Sequence, residues 1–136
     1  MKKLKIFTDG GSRGNPGPCA IGIVIVDFES GKIIHKISEC IGVETNNVAE
    51  YTAIEKALEW VLENEKEANI DFLLDSELVC RQLNGQYKVK DQNLKVIYLD
   101  IKQKLSEHGG TINFSHIRRE DNKEADSLVN HALDTL

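Results

Sequence analysis

Four acidic side chains stand out by type and position: Asp9, Glu50, Asp75 and Asp126. Asp9 closes a short apolar run, Lys3 to Asp9, that reads as a strand, and Asp75 closes another, Ile70 to Asp75. Glu50 stands four residues before Ile54 on the apolar stripe of a helix, and Asp126 lies beside Ala125 early in a later one. Taken singly, each has a plain structural explanation. Asp9 starts a glycine turn, Asp75 caps a helix, and Glu50 and Asp126 are favourable charges near helix N-termini. Brought together, they cannot all stay ionised at low cost, because like charges within a few ångströms oppose one another. A divalent cation relieves that repulsion. An all-oxygen shell suits Mg²⁺ or Mn²⁺ rather than zinc, and no His or Cys has metal-ligand spacing to the set. Two such ions about 3.5–4 Å apart can activate a water and stabilise the leaving oxygen of a phosphodiester. Hydrolysis of a nucleic-acid backbone is the chemistry the set points to.

The elements that must bring these residues together follow from periodicity. The Lys3–Asp9 strand is ended by the run Gly10-Gly11-Ser12-Arg13-Gly14-Asn15-Pro16-Gly17. Cys19 to Phe28 is dense in β-branched residues and reads as a buried strand, turned by Ser30-Gly31 into a partner from Lys32 to Ile41. Ile54, Ala57, Leu58, Val61 and Leu62 trace a helix starting near Asn46-Asn47, where an amide can cap free N–H groups. After the Ile70–Asp75 strand, Asp75-Ser76 opens a short helix that stops at Asn84-Gly85. Leu94, Ile97, Ile101 and Leu105 mark a third helix closed by Gly109-Gly110; Thr111 to Ile117 is a fifth strand, and Ala125, Leu128, Val129, Ala132 and Leu136 mark a last helix. The order β-β-β-α-β-α-α-β-α implies an α/β fold. Its five-stranded mixed sheet has three antiparallel strands, then parallel ones, and about four helices packed on it. Strands one, four and five run parallel in this scheme, and ligands bind outside the carboxyl ends of such strands.

Composition sets the frame. The chain has 136 residues, 17 Lys+Arg against 22 Asp+Glu, 40% hydrophobic and 29% charged, which fits one globular domain over residues 1–136. No apolar run approaches the length of a membrane span, and Met1-Lys2-Lys3 leads into a strand pattern rather than a signal peptide. Cys19, Cys40 and Cys80 are an odd number with no C-x-x-C pair, so buried thiols in a reducing cytoplasm are expected. The net charge of −5 conceals a split. Glu50 to Glu77 holds nine acidic and two basic residues, whereas Arg81 to Lys104 holds six basic and two acidic. Such blocks serve either as solvated helix faces or as a basic grip beside an acidic site acting on a polyanion.

The strand end Thr8-Asp9-Gly10-Gly11-Ser12 with Gly14-Asn15-Pro16-Gly17, then Thr45-Asn46-Asn47-Val48-Ala49-Glu50, Leu74-Asp75-Ser76 and Asn122-Lys123-Glu124-Ala125-Asp126, resembles the type 1 ribonuclease H family over essentially the whole chain. The resemblance implies the ribonuclease H-like fold and makes Asp9, Glu50, Asp75 and Asp126 the metal-binding catalytic residues, holding two Mg²⁺ or Mn²⁺ ions. It also implies endonucleolytic cleavage of the RNA strand of an RNA–DNA hybrid, leaving 5′-phosphate and 3′-hydroxyl ends. Gly10, Gly11, Ser12, Asn15, Asn46 and Asn47 resemble the family's substrate contacts around the scissile bond, Thr45 its phosphate-pocket hydroxyl on the DNA strand; Thr45, Asn46 and Asn47 can equally cap the helix. The 2′-OH alone distinguishes RNA from DNA at a nucleotide, so polar atoms near Asp9 and Glu50 are expected to read it.

The match departs from the family in one segment above all. His116 stands ten residues before Asp126, where many members carry a mobile histidine, yet Ile117-Arg118-Arg119-Glu120 follows it without the usual glycine. His116 and Arg119 are therefore both candidates. An arginine there can stabilise developing charge but cannot exchange protons near neutral pH. Glu77 replaces a frequent glutamine, and Asn84 to Lys90 lacks the extra basic helix some relatives use, leaving Lys88 and Lys90 as part of the grip on the hybrid. Trp60 is expected to pack rather than stack on a base. The expected protein is a monomer with no membrane contact and no separate hybrid-binding domain. The alternatives are a related nuclease that also accepts double-stranded RNA and a hybrid-binding module without catalysis; a binder has no need to concentrate negative charge where phosphates dock.

Overall fold

The computed structural model describes residues 2–136; Met1, placed by the sequence ahead of the first strand, lies outside them. Its elements are β1 (Lys3–Ser12), β2 (Gly17–Asp27), β3 (Ile33–Glu44), α1 (Asn46–Asn64), β4 (Asn69–Leu74), α2 (Glu77–Leu83), α3 (Gln92–Glu107), β5 (Ile112–His116) and α4 (Lys123–Asp134), with a 3₁₀ turn at Arg119–Asp121 that periodicity does not predict. The sheet order is β3-β2-β1-β4-β5. β1 pairs antiparallel with β2 and β2 with β3, while β1–β4 and β4–β5 are parallel. The expected mixed sheet is thus the observed one. No helix among the described residues is long and apolar enough to cross a membrane.

Helix α1 lies across one face of the sheet. Its Tyr51, Ile54, Leu58 and Val61 bury against Leu4, Ile6, Ile21, Ile23, Ile70 and Phe72, all fully buried. Each such side chain contributes about 1.5–3 kcal/mol on burial, so this cluster fixes the sheet against the helix. Helix α3 packs on the outside of α1 through Leu94 and Ile101. The other face carries α4 alone, through Val129, Ala132 and Leu133 on Ala20.

Three local expectations are corrected. The glycine run does not end β1 at Asp9: Gly10, Gly11 and Ser12 pair with Ile21, Ala20 and Cys19, and the chain turns only after Ser12. β3 likewise runs past Ile41 to Glu44, because one extra residue, Ile41, is absorbed as an irregularity opposite Cys19/Ala20 and pairing resumes at Gly42. The cap of α1 is the Thr45 hydroxyl, which accepts from the Val48 N–H, and that of α2 is Ser76, accepting from the Val79 N–H. Asp75 is thereby released from capping, and Glu50 falls in the second turn of α1 rather than its first.

Two glycines let the helices reach the sheet near its carboxyl edge. A Cβ on Gly10 would stand 2.3 Å from the Ala49 carbonyl carbon of α1, and one on Gly22 would stand 2.2 Å from the Ala125 carbonyl oxygen of α4. Gly22 pairs with Asp9, so both helices close on one point of the sheet. Gly10→Ala is expected to cost about 3 kcal/mol by forcing α1 outward. Gly11→Ala, whose Cβ would meet only Val129 Cγ1 at 3.5 Å, should cost under about 1 kcal/mol. Urea unfolding of the two variants checks the difference.

Candidate active site

The parallel strands deliver two carboxylates to one edge. Pairing between β1 and β4 ends at Thr8↔Leu74, and the next residue of each chain is Asp9 or Asp75. Glu50 arrives from α1 across the Gly10 contact, and the Gly10 N–H donates to Glu50 Oε1 at 3.2 Å. One oxygen each of Asp9, Glu50 and Asp75 lie within 4.8 Å of one another, with Asp9 and Glu50 only 8% and 7% exposed. Asp126, exposed in the first turn of α4, lies outside this tight trio. Its carboxylate still raises the proton affinity of Asp9, and it lines the same cavity of about 390 Å³ as the other three. Asn130 Nδ2 donates to Asp126 Oδ2 at 3.4 Å.

Crowding and burial show in the ionisation of the cluster. Burial pushes Asp9 up to about 7, helped by the charges of Asp75 and Asp126 and opposed by its hydrogen bond with Glu50. Glu50 is raised well above the usual carboxylate range by burial first and the Asp9 charge second; the Gly10 N–H pulls the other way. Glu50 Oε2 is buried with no hydrogen-bond partner. A buried carboxylate oxygen without a donor is costly, and only a shared proton or a cation satisfies such a group. The donor set is all oxygen, so the trio is a site that could hold a hard divalent metal ion, with Asp126 at its rim.

The other residues singled out by the sequence divide. Gly10, Gly11, Ser12, Asn46, Asn47 and Arg119 lie in the cavity wall. Asn46 Oδ1 accepts from the Ser12 N–H at 2.9 Å, and the Asn46 N–H donates to Asn15 Oδ1 at 3.0 Å, so these amides tie the glycine-rich turn to the start of α1. Asn15 and the capping Thr45, both exposed, are not part of the wall. Asn47 presents a side chain with no hydrogen bond among the described residues. His116 ends β5 level with Leu74 and is not part of the wall. Lys88 and Lys90 are exposed on the α2–α3 connection and bear no ion pair among the described residues. That loop is anchored by Gln82, whose Nε2 donates to the Lys88 carbonyl at 3.3 Å while its Oε1 accepts from the buried Tyr51 hydroxyl. Glu77 is engaged with Arg81 at 3.0 Å, and Trp60 stacks on His35 with centroids 5.4 Å apart, a packing role.

Sequence reasoning passed over Asn122 and Arg13. Asn122, 1% exposed, donates from Nδ2 to the Thr8 carbonyl at 2.9 Å and to Asp75 Oδ2 at 3.0 Å. Its place just before a helix reads as a cap, yet it makes no side-chain cap bond. Arg13 lines the cavity and pairs with Asp134 at the end of α4. No local signal links residues so far apart in sequence.

Comparison with known proteins places this architecture. A family model described as Reverse transcriptase-like matches residues 7–132. The crystal structure of LC11-RNase H1, isolated from compost by a metagenomic approach, is 46% identical and superposes with a TM-score of 0.91 over 99% of this chain and 98% of that one; a second structure is of its complex with an RNA/DNA hybrid. Ribonuclease HI of Halobacterium salinarum is 36% identical over 132 residues, 97% of this chain and 65% of that protein. The bifunctional protein Rv2228c of Mycobacterium tuberculosis is 38% identical over 133 residues, 97% of this chain but 36% of that protein. The chain thus spans about a third of the length of the first curated relatives it matches.

The raised carboxylates carry a pH signature. A carboxyl that binds its proton more tightly folded than unfolded lets the native state hold more protons between the two values, so stability falls as pH rises through that window. For Asp9 the window runs from 3.8 to about 7. The cation-free protein should therefore be more stable at pH 5 than at pH 8, by about 1–3 kcal/mol. Asp9→Asn should flatten part of that slope. Glu50, held up by burial, and Glu55, raised to about 7 by burial and its bond to Asp100, leave the remainder. Urea unfolding across this range checks it; wild-type stability that climbs towards pH 8 would contradict the assignment.

Proposed function

The chain belongs to the type 1 ribonuclease H family, and from that premise we propose that it is an endoribonuclease cutting the RNA strand of RNA–DNA hybrids to leave 5′-phosphate and 3′-hydroxyl ends. The observation that carries the reading is the trio Asp9, Glu50 and Asp75, with oxygens within 4.8 Å of one another. A polyanion-binding cavity has no other reason to bury two carboxylates there. Asp9, Glu50, Asp75 and Asp126 would hold two Mg²⁺ or Mn²⁺ ions. When bound, such a pair supplies an activated water and charge stabilisation at the leaving oxygen.

This chain's own residues do the rest. Gly10 and Gly11 present bare backbone in the wall, so the ribose and phosphate at the scissile bond can come close to Asp9. Asn47, with its unengaged amide, is placed to donate to ribose or phosphate oxygens and to read the 2′-OH. Ser12, Asn15 and Asn46 hold the turn that frames it. Thr45, occupied as the cap of α1, is assigned a DNA-strand phosphate as a second role. Arg119, in the wall, keeps a permanent positive charge that can steady the leaving oxygen, and we assign it that part ahead of His116. Lys88, Lys90 and Lys95, without ion pairs among the described residues, lie on the α2–α3 side and would follow the hybrid's backbone. The three free thiols, Cys19, Cys40 and Cys80, support a reducing, cytoplasmic setting, and a monomer is the simplest assembly.

The test uses labelled RNA–DNA, RNA–RNA and DNA–DNA duplexes with Mg²⁺, Mn²⁺ or EDTA. Cleavage is expected only of the hybrid's RNA strand and only with a divalent ion. Asp9→Asn, Glu50→Gln and Asp75→Asn should each lower kcat about a thousandfold. Equal cutting of double-stranded RNA would favour the broader nuclease, and binding without cleavage a non-catalytic module. Arg119→Ala should lower kcat about tenfold or more, His116→Ala by less. Replacing Lys88 and Lys90 together by Ala should reduce the salt slope of hybrid binding by about two; an unchanged slope would remove them from the interface.

A further inference from the structure

Asn122 is a buried polar side chain beside the proposed cation site, and its geometry is specific. Nδ2 meets two acceptors at once, the Thr8 carbonyl on β1 at 2.9 Å and Asp75 Oδ2 beyond β4 at 3.0 Å. Both partners can only accept, so the amide's orientation is decided: turned over, it would set oxygen against two oxygens. Asn122 Oδ1 is then buried without a hydrogen-bond partner. An orphaned acceptor costs stability, and an apolar residue of similar size at this helix start would avoid the cost. As Asn122 does not cap α4, helix formation does not account for it.

The position has a further property. The β1–β4 ladder stops at Thr8↔Leu74, so Asp75 is the first residue of its chain without a sheet partner on β1. Among the described residues, the Asp75 carboxylate has its one side-chain hydrogen bond from Asn122. The Asn122 amide joins β1, the end of β4 and the start of α4 in one contact. Ala125 and Asp126 follow within one turn of α4, so the residue that holds Asp75 also sets where Asp126 begins.

We propose that Asn122 is the positioning residue for Asp75, fixing one carboxylate oxygen so that the other stays aimed at Asp9 and Glu50 for cation binding. The inference rests on reading the four carboxylates as cation ligands. Outer partners of this kind set ligand orientation, and their loss typically weakens metal binding about 10–100-fold.

The experiment measures Mn²⁺ affinity of the intact chain by calorimetry, corrected for the folded fraction, with no substrate present. Asn122→Ala and Asn122→Asp should each weaken Mn²⁺ about tenfold or more; Asp keeps the shape but loses the donor. Asn122→Ser carries the same comparison should Ala not fold. Ile101→Ala, in the α3 core outside the cavity wall, serves as a variant destabilised without touching the site, and should leave affinity within about twofold. Excess Mn²⁺ should restore hybrid cleavage in Asn122→Ala. Wild-type affinity retained in the Asn122 variants overturns the proposal while leaving the cation site standing. An equal loss in Ile101→Ala also overturns it, because the effect would then be global. Absence of Mn²⁺ binding by the wild type overturns instead the cation site on which it rests.

Discussion

The mutual repulsion of carboxylates held out of water is the constraint around which this molecule is organised. Asp9 and Glu50 are buried to less than a tenth exposure beside Asp75, and the cost appears as raised proton affinity in both. The fold tolerates that cost because the rest of the edge is overdetermined. The α1 core anchors one face, and bare backbone at Gly10 and Gly22 brings α1 and α4 onto the same stretch of β1 and β2. A site that strains its own fold when empty of cations is in effect preorganised for them.

Around the carboxylates, a ring of hydrogen bonds between distant segments replaces regular secondary structure. Asn15 and Asn46 lash the glycine-rich turn to α1, Arg13 ties the same turn to Asp134 of α4, and Asn122 bridges β1 to Asp75. None of these lies within a helix or sheet ladder. Each spans more than thirty residues of chain, as the separations of 31 to 121 residues show. These bonds tie the cavity wall together across distant segments, although the turn that frames it is itself exposed.

Charge is sorted by layer. Acidic residues concentrate on α1 and around the carboxylate edge, while Lys88, Lys90 and Lys95, without ion pairs among the described residues, lie on the α2–α3 side. Where the two meet, α1 and α3 are joined by Glu55, Asp100 and Lys104. Lys104 bonds Asp100 at 2.6 Å, and Glu55 is pushed up by burial so that it shares a proton with Asp100. The Lys104 cation and the shared proton keep the Glu55 and Asp100 carboxylates from repelling one another where α1 meets α3. A protein of net charge −5 can thus still offer a polyanion a positive arc beside a cation site.

Much of this was written in local pattern. The alternation of β2, the apolar stripe of α1 and the turn at Ser30-Gly31 are short-range signals, and they led to the right mixed sheet and strand directions because parallel and antiparallel connections obey few rules. The four acids could be picked out since each sits at a predictable strand end or inward helix position. What local pattern misread is equally physical. Gly10 and Gly11 look like a turn, but they are strand residues, Gly10 emptied of its side chain to admit α1, and nothing within reach of them in sequence says so. Of the three capping candidates the sequence offered, only the fold selects Thr45, because the amides of Asn15 and Asn46 bind across the turn instead. The chain alone determined which elements form and which acids reach the edge, since periodicity and propensity act over a few residues. Only the folded state decided that three of the acids crowd together while Asp126 stands off, that Arg119 enters the cavity wall and His116 does not, and that Asn122 serves Asp75. Those outcomes depend on contacts between segments far apart in the chain, whose geometry exists only once the helices have docked.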